Sequence, residues 1–199
     1  LATAEVTFDG AVAYAIGSTE KGLANLVKHV LVTSRFACVL SAAGYLRQAE
    51  RIASAYTQFR TAFGVSICDF PIVREDVDKI VLARERALAV VFELLHFWEK
   101  AQQAQSEDVE SHDFRVMMSL AKTVLTRRTA HLLHDAMMLL GGNGIEEEFS
   151  PLPRLYRDAV ILETWEGPHN VLLSQALRDL RRFETDVEAF VKRVAGPNH

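Results

Sequence analysis

A single carboxylate, Glu166, stands where a side chain could act as a general base. It lies in the run Thr164-Trp165-Glu166-Gly167, directly before a helix that Pro168 is suited to start. The N-terminal dipole of that helix favours the ionised carboxylate, whereas burial beside Trp165 would favour the protonated form. A base must be ionised, close to the proton it removes and shielded from water. The residue types therefore allow proton abstraction by Glu166, and they also allow an ordinary acid stabilised by the helix dipole.

Two Glu-x-x-His spacings suggest a different chemistry, a di-iron centre of the ferritin type. They are Glu93–His96 and Glu166–His169. Ferritin-like bundles use this pair on two helices together with two further carboxylates. The second match contains Gly-Pro, so it does not form a pair inside a helix. We keep the di-iron bundle as a remote alternative.

Other histidines and the cysteines give weaker signals. His131 and His134 lie one helical turn apart and could bind a metal, but only Asp135 stands near them as a further ligand. Cys38 and Cys68 form no Cys-x-x-Cys pair and are expected to be ordinary reduced thiols. We therefore predict no metal site, and we expect the cytoplasm or another reducing soluble compartment.

Composition limits the classes of partner. The chain has 199 residues, of which 49% are hydrophobic and 24% charged, so a packed core is expected. A formal net charge of −4 gives no reason to expect nucleic acid or an anionic membrane surface. We predict no membrane span and no signal peptide. Because the chain opens on Leu1 without methionine, we expect its start to be a cut inside a longer protein.

The elements that would position these residues follow from hydrophobic periodicity. Residues 4–15 alternate apolar and polar around the turn signal Asp9-Gly10, which predicts a β-hairpin. From Leu23 onward the period becomes helical, and Pro151 and Pro153 indicate an irregular connector. We predict an all-α, up-and-down antiparallel four-helix bundle, preceded by the short N-terminal β-hairpin. The predicted helices cover residues 23–63, 71–98, 113–140 and 168–190.

Five local runs occur in an order that is typical of one family. They are the run Leu-Ala-Thr-Ala-Glu-Val-Thr-Phe-Asp-Gly at residues 1–10, Tyr-x-x-x-Arg-x-x-Phe-Gly at 56–64, Leu-Gly-Gly-Asn-Gly at 140–144, Arg-Leu-Tyr-Arg-Asp at 154–158 and Trp-Glu-Gly at 165–167. Together they resemble acyl-CoA dehydrogenases. The resemblance implies that residues 1–17 end a middle β-domain and that residues 18–199 form the C-terminal helical domain. The Trp before Glu-Gly resembles the branch that contains alkylation-response relatives.

The resemblance implies a reaction and a set of substrate-site residues. Acyl-CoA dehydrogenases are FAD-dependent oxidoreductases that remove the α-proton of an acyl-CoA thioester while the β-hydrogen leaves as hydride to the flavin. Glu166 is then the catalytic base, and Arg35 approaches the base and the thioester. Trp165 and Gly167 fall beside the substrate. Some relatives carry the base one residue before the family arginine, where this chain has Ser34, which cannot act as that base.

The resemblance also implies a flavin site. Arg60 would reach the FAD pyrophosphate of a neighbouring subunit, for which the forked guanidinium is suited. Phe63, Gly141 and Gly142 would line the flavin site, and Asn170 could supply a polar group. Three departures from the family pattern each remove a hydrogen-bond donor from this site: Met138, Pro71 and Pro168.

The resemblance finally implies partners beyond this chain. We expect acyl-CoA and an electron-transfer partner for the full-length protein, and a homodimer or homotetramer. Because much of the binding surface would lie outside these 199 residues, we expect the isolated chain to be inactive. The alternatives are an alkylation-response relative with weak dehydrogenase activity and a non-catalytic oligomerisation module.

Overall fold

The protein is described by a computed structural model that covers residues 4–103, 109–182 and 186–195. Within these residues nearly all regular structure is helical, which confirms the all-α prediction. The elements are α1 Gly22–Asn25, a π-helical segment Leu26–Leu31, α2 Val32–Phe59, β1 Thr61–Ala62, β2 Val65–Ser66, α3 Pro71–Gln103, α4 Val109–Leu139, α5 Leu152–Thr164, α6 His169–Arg182 and α7 Val187–Ala195.

Helices α2, α3 and α4 pack against one another and form the core of a bundle. Short connections reverse the chain between successive helices, so α2 and α4 run in the same direction, as an up-and-down topology requires. Apolar residues at helical spacing face inward on all three helices, which is the pattern that drives such packing. The most fully buried of them include Val39, Leu46, Ile80, Leu94 and Leu133.

The fourth position of the bundle is filled by two helices in succession. Helix α5 packs on the C-terminal part of α4, and α6 packs on its N-terminal part, where Arg115 pairs with Asp179 at 3.0 Å. The predicted irregular connector at Pro151 and Pro153 is therefore wrong, because α5 begins at Leu152. Proline is tolerated in the first turn of a helix, where its missing N–H has no intrahelical partner.

The predicted last helix, residues 168–190, is divided as well. Helix α6 ends at Arg182, and α7 begins at Val187, while residues 183–185 lie outside the described part of the chain. Helix α7 is fixed to α4 by Arg193, whose guanidinium donates two hydrogen bonds to the Asp113 carboxylate at 2.7 and 2.9 Å. The bundle is thus closed by shorter helices than the sequence pattern predicts.

The predicted N-terminal hairpin does not form. Residues 4–18 contain no strand, and the side chains of Val6, Phe8 and Val12 are largely exposed. An isolated hairpin is only marginally stable without a sheet to cover its apolar face, and no other strand lies beside this segment among the described residues. The only described strand pair is the short antiparallel one between Thr61–Ala62 and Val65–Ser66, which links α2 to α3.

One helical run among the described residues is long and apolar enough to cross a membrane by length and composition, although we predicted none. It covers Thr19–Phe59, and 29% of its most apolar window is buried inside the bundle. The core helix of a water-exposed bundle passes the same test. From Val32 onward this run is α2, whose inward face forms the core described above.

Candidate active site

The turn between α5 and α6 interrupts the fourth helix and presents Glu166. Helix α5 ends as the Trp165 N–H donates to the Ile161 carbonyl at 3.0 Å, and the chain then takes positive φ at Glu166 (57°) and Gly167 (106°). A Cβ at Gly167 would lie 3.2 Å from the side chain of Leu172. Glycine is required at that position because L side chains rarely adopt such a φ and the space is restricted. The Glu-Gly order thus follows from the local geometry of the turn.

Two neighbours on α2 hold Glu166. The Ser34 hydroxyl donates to the Glu166 carboxylate Oε1 at 2.7 Å, and Arg35 Nε donates to the Glu166 carbonyl at 3.0 Å. Arg35 is buried, whereas Glu166 is half-buried. The sequence analysis predicts that Arg35 approaches Glu166, and in the structure Arg35 contacts the backbone carbonyl of that residue. Ser34, which the sequence argument considered only as an unsuitable base, binds the carboxylate directly.

Lys122 on α4 holds the same turn from the other side. Its side chain is fully buried, and Nζ donates to the carbonyl of Glu163 at 3.0 Å and to that of Gly167 at 2.9 Å. The Glu163 carbonyl lies in the last turn of α5, where carbonyls lack intrahelical donors and the helix dipole favours a cation. Lys122 is not among the site residues predicted from the sequence. The available signal was a lysine at a core-facing position of α4.

Burial controls the electrostatics of this cluster. It lowers the pKa of Arg35, and the negative charge of Glu166 partly offsets that effect. Burial likewise lowers the pKa of Lys122. The thiol of Cys38 lies in the same environment, and burial raises its pKa while the nearby Lys122 charge opposes the rise. Two cations, one carboxylate and one thiol therefore interact inside a largely apolar bundle.

His169 closes the turn next to Glu166. Its Nε2 lies 3.3 Å from Glu163 Oε2, an ionic distance without hydrogen-bond geometry. Burial lowers the pKa of His169, and the Glu163 charge opposes that shift. Trp165 is 41% exposed, so it covers Glu166 less than the sequence argument assumed. The substrate-side candidates Trp165 and Gly167 both lie in this turn, as predicted from their order in the sequence.

The predicted flavin residues at the end of α2 lie on an open surface. Arg60 follows the last residue of α2 and is exposed, and no ion pair with another described residue involves it. Phe63 is 97% exposed and is held at a positive φ of 54°. From Arg35 to Arg60 the chain advances 25 positions, which corresponds to roughly 37 Å along a helix. The predicted site residues therefore form two separate groups, at opposite ends of α2.

The glycine turn after α4 joins the Arg60 group. Asn143 Nδ2 donates to the Tyr56 hydroxyl at 3.4 Å, which places this turn beside the end of α2. Gly141, at a φ of 61°, and Gly142 are exposed, and a Cβ on either would meet nothing within 4 Å. Gly144 differs, because a Cβ there would lie 2.0 Å from the Met137 carbonyl. Gly141 and Gly142 thus leave open surface, whereas Gly144 is required for packing.

Asn170 and the three positions that depart from the family pattern lie at both ends of α2, some beside Glu166 and some beside Arg60. Asn170 is exposed on the first turn of α6, near Glu166 rather than Arg60. Pro168 accepts hydrogen bonds from the N–H groups of Val171 and Leu172 at 2.9 and 3.1 Å and so starts α6. Pro71 begins α3, and Met138 near the end of α4 is 47% exposed. The loss of an N–H at each proline has no cost to the helix that it starts.

The di-iron alternative finds no support in the geometry. Glu93 and His96 are exposed on the outer face of α3, and Glu166 and His169 are separated by the turn. A ferritin-like centre needs carboxylates and histidines that project into the bundle interior. Within the described residues, no group of three or more potential ligands lies together.

Comparison with known proteins agrees with this architecture. Residues 20–180 match the family model for the acyl-CoA dehydrogenase C-terminal domain. The chain is 31% identical over 195 residues to AidB of Escherichia coli (strain K12). This alignment covers 96% of this chain and 35% of AidB. Acyl-CoA dehydrogenase family member 11 of Caenorhabditis elegans is 29% identical over 194 residues, covering 98% of this chain and 31% of that protein.

Solved structures show the same relationship. The Caenorhabditis elegans ACDH-11 structure in complex with C11-CoA superposes with a TM-score of 0.84 at 28% identity, covering 94% of this chain and 31% of that chain. Butyryl-CoA dehydrogenase from Megasphaera elsdenii superposes with a TM-score of 0.72 at 25% identity, covering 83% and 40%. The chain spans about a third of the length of the curated relatives AidB and family member 11. Taken with the match over residues 20–180, these likenesses show that the chain belongs to the acyl-CoA dehydrogenase family and corresponds to its C-terminal helical domain.

Proposed function

We propose that this chain is the C-terminal domain of an FAD-dependent acyl-CoA dehydrogenase in which Glu166 is the catalytic base. The observation that carries the proposal is the Ser34 hydrogen bond to Glu166 Oε1, made within a turn that Arg35 also holds. A general base is effective when its carboxylate is held in one orientation near the reacting carbon. Family members are oxidoreductases, which agrees with this role.

The arrangement leaves one carboxylate oxygen for substrate. Ser34 occupies Oε1, and no hydrogen bond from the described residues reaches Oε2 of Glu166. We propose that Oε2 accepts the α-proton of an acyl thioester and that Ser34 keeps the carboxylate in place as its charge is neutralised. Arg35 holds the Glu166 backbone and places a positive charge near the thioester region. Trp165 and Gly167 then border the acyl chain.

The residues at the other end of α2 suit a flavin. Members of the family are FAD-dependent flavoproteins, and FAD supplies the acceptor for the β-hydride when it is bound. We propose that Arg60 pairs with the FAD pyrophosphate, because its exposed guanidinium has no ion pair among the described residues. Phe63, Gly141 and Gly142 present open surface beside it. Asn170, close to Glu166, would contact the flavin from a different side.

The distance between the two groups suggests how they are used. Because Arg60 and Glu166 lie at opposite ends of α2, we propose that Arg60 serves a flavin that is bound mainly by a neighbouring subunit. The flavin beside Glu166 would then receive the corresponding arginine from another copy. This arrangement fits the homodimer or homotetramer predicted from the sequence. An electron-transfer partner and a reducing compartment belong to the same proposal; Cys38 and Cys68 are free thiols.

The proposal for Glu166 is tested by Glu166→Gln in the full-length protein. The variant should keep its bound flavin, measured by absorbance, and should lose turnover by a factor on the order of 10²–10⁴ with an artificial electron acceptor. Glu85→Gln, a change of an exposed carboxylate on α3, is the matched control and should retain activity. Turnover of Glu166→Gln at the control level would remove Glu166 from the role of base.

The substrate class is tested with a panel of acyl-CoA thioesters. The ACDH-11 relative is described in complex with C11-CoA, so that chain length belongs in the panel with shorter and longer ones. We propose that the full-length protein bleaches its flavin on addition of at least one of them. Because this chain spans about a third of its relatives, we expect the isolated 199 residues to show no turnover with any.

The residue before Glu166 favours a variant of this function. Trp165 stands there, and this run resembles the branch of the family that contains alkylation-response relatives. In that case dehydrogenation would be weak even in the full-length protein. Turnover numbers that stay far below about 1 s⁻¹ with every thioester, despite flavin bleaching, would favour this alternative.

An exposed apolar stripe on α3 favours a second role in assembly. Leu88, Phe92 and Leu95 lie on one face of the helix and are 43%, 63% and 37% exposed. Apolar patches of this kind usually mark a protein interface. We propose that the isolated chain forms dimers or tetramers, which light scattering would detect. A monomer at high concentration, or an unchanged oligomer in Phe92→Lys, would contradict the role of this stripe.

A further inference from the structure

The buried lysine on α4 is not explained by the acid–base role of Glu166. Lys122 is fully buried, and none of the ion pairs between described residues includes it. Burial of a cation costs several kcal/mol unless strong acceptors replace its water. Here the acceptors are two backbone carbonyls, those of Glu163 and Gly167. Lys122 therefore binds this turn through backbone carbonyls and makes no ion pair with a described side chain.

The two carbonyls lie on either side of Glu166. One belongs to the last turn of α5, and the other to Gly167, two residues before α6 begins. Arg35 binds the carbonyl between them, that of Glu166 itself. Three carbonyls within residues 163–167 are thus directed at cations that come from two different helices, α2 and α4.

The backbone conformation of the turn needs such support. Glu166 adopts a φ of 57°, a left-handed conformation that is uncommon for a residue with a Cβ. Conformations of this kind cost about 1–3 kcal/mol and persist only where surrounding contacts hold them. Lys122 fixes both ends of the segment that contains this strained residue. If its two hydrogen bonds were lost, the carbonyls would turn toward water and the carboxylate would move with them.

We propose that Lys122 is a positioning residue that holds the Glu166 turn by clamping the carbonyls of Glu163 and Gly167. The proposal rests on the proposed function of Glu166 as base. Lys122 does not touch substrate in this role, and it transfers no proton. It determines where the carboxylate stands, while Ser34 determines how the carboxylate is oriented. Lys122 thus acts on the backbone on either side of Glu166, whereas Ser34 acts on the Glu166 side chain.

The test is Lys122→Met in the full-length protein, with Lys79→Met as the matched control. Methionine fills similar volume without a donor, and Lys79 is an exposed lysine on α3. We expect kcat to fall by about 10- to 100-fold, because a displacement near 1 Å is enough for that loss, and KM to change by less than about twofold. Bound flavin should be retained. The control should match wild type in kcat and KM.

Hydrogen–deuterium exchange provides a readout that does not require turnover. In Lys122→Met, amides of the peptide that spans residues 163–170 should exchange about tenfold faster, while peptides from α3 keep their protection. If Lys122 had only a general structural role, exchange would rise across the bundle and kcat of the folded fraction would stay unchanged. Either unchanged exchange at 163–170 or unchanged kcat would overturn the proposal.

A second variant keeps the test decisive if Lys122→Met does not fold. Lys122→Gln retains an amide donor that is too short to bridge both carbonyls, so it should show a smaller change of the same kind. Wild-type kcat and exchange in Lys122→Gln would count against the clamp. Retained turnover in Glu166→Gln would instead remove the proposed function, and the exchange at residues 163–170 would still show whether Lys122 holds the turn.

Discussion

The two ends of α2 differ in how completely this chain builds them. At its start, Ser34 and Arg35 together with Lys122 of α4 make four hydrogen bonds to the turn that carries Glu166. At its end, Arg60 and Phe63 are exposed, and Arg60 makes no ion pair with another described residue. A base must stand at a fixed position before substrate arrives, whereas residues that bind a flavin can take their final contacts from it. The contrast separates a turn held by contacts within this chain from an exposed surface to which we assign a flavin only by proposal.

Among variants that leave Glu166 itself unchanged, the largest expected effect comes from Gly167→Ala, in the turn held at the start of α2. The added Cβ meets Leu172 at 3.2 Å, and a φ of 106° is strained for alanine. We expect a loss of about 1–3 kcal/mol in stability, and a fall in kcat on the order of 100-fold in the full-length protein. Thermal unfolding and steady-state kinetics measure the two.

The control for that variant is Gly44→Ala. Gly44 lies in the middle of α2 with no positive φ, and a Cβ there meets nothing within 4 Å. Alanine is favoured over glycine in a helix by about 1 kcal/mol, so this variant should be more stable than wild type. If both substitutions changed the melting temperature in the same direction, the special geometry at Gly167 would lose its support.

A change at the exposed end of α2 should weaken cofactor binding and leave the fold intact. We expect Arg60→Met to weaken FAD binding about 10- to 100-fold, the worth of a charged hydrogen bond, with no change in the melting temperature of the isolated chain. Arg51→Met, an exposed arginine of the same helix, is the control. FAD affinity measured by fluorescence titration of the full-length apoprotein decides it. Equal affinities of the two variants would show that Arg60 does not bind the pyrophosphate.

A smaller effect is expected at the side-chain contact of Glu166, the proposed base. Ser34→Ala removes the hydroxyl that donates to Glu166 Oε1, so kcat should fall by about three- to tenfold while flavin stays bound. Thr33→Val is the neighbouring control, because the Thr33 hydroxyl bonds the His29 carbonyl on the exposed side of the helix. A kcat for Ser34→Ala equal to that of Thr33→Val would mean that the carboxylate is oriented by other groups.

The smallest expected effect is a pH dependence of stability that comes from His169, beside the Glu166 turn. Because burial holds the folded-state pKa of His169 below its ordinary value of 6.5, the unfolded chain takes up the proton more readily. This contribution to stability is fully present above about pH 6.5 and is lost as the pH falls below it. His169→Gln should therefore flatten the dependence of melting temperature on pH between about 7 and 5. His131→Gln, on the exposed face of α4, is the control, and equal slopes in both variants would contradict the role of His169.

The sequence predicts the long helices well because they depend on the spacing of apolar residues within each helix. The apolar period of α2, α3 and α4 fixes which face turns inward, and the buried Val39, Ile80 and Leu133 lie on those faces. The errors arise where local pattern and tertiary context differ. Pro151 and Pro153 resemble a break in structure, yet a first helical turn tolerates both. The alternation in residues 4–15 needs a neighbouring sheet to become a hairpin.

The candidate site is predictable only in part, for a similar reason. The identities of Glu166, Arg35 and Arg60 follow from family-like runs, and the structure brings Arg35 to Glu166. The contacts of Ser34 and Lys122 depend on how α2 and α4 meet the turn, which no local pattern encodes. A lysine at a core-facing position can be recognised in a sequence, but its carbonyl partners lie more than 40 positions away.

The meeting of four helices at one turn has a consequence for how this protein tolerates change. The turn that carries Glu166 is attached to α2 through Arg35 and to α4 through Lys122, and it is continuous with α5 and α6. A small shift of any of these helices displaces the carboxylate. Substitutions deep in the bundle, far from any substrate, should therefore degrade the precision of catalysis before they unfold the chain, so that loss of turnover becomes the earliest sign of a poorly packed interior.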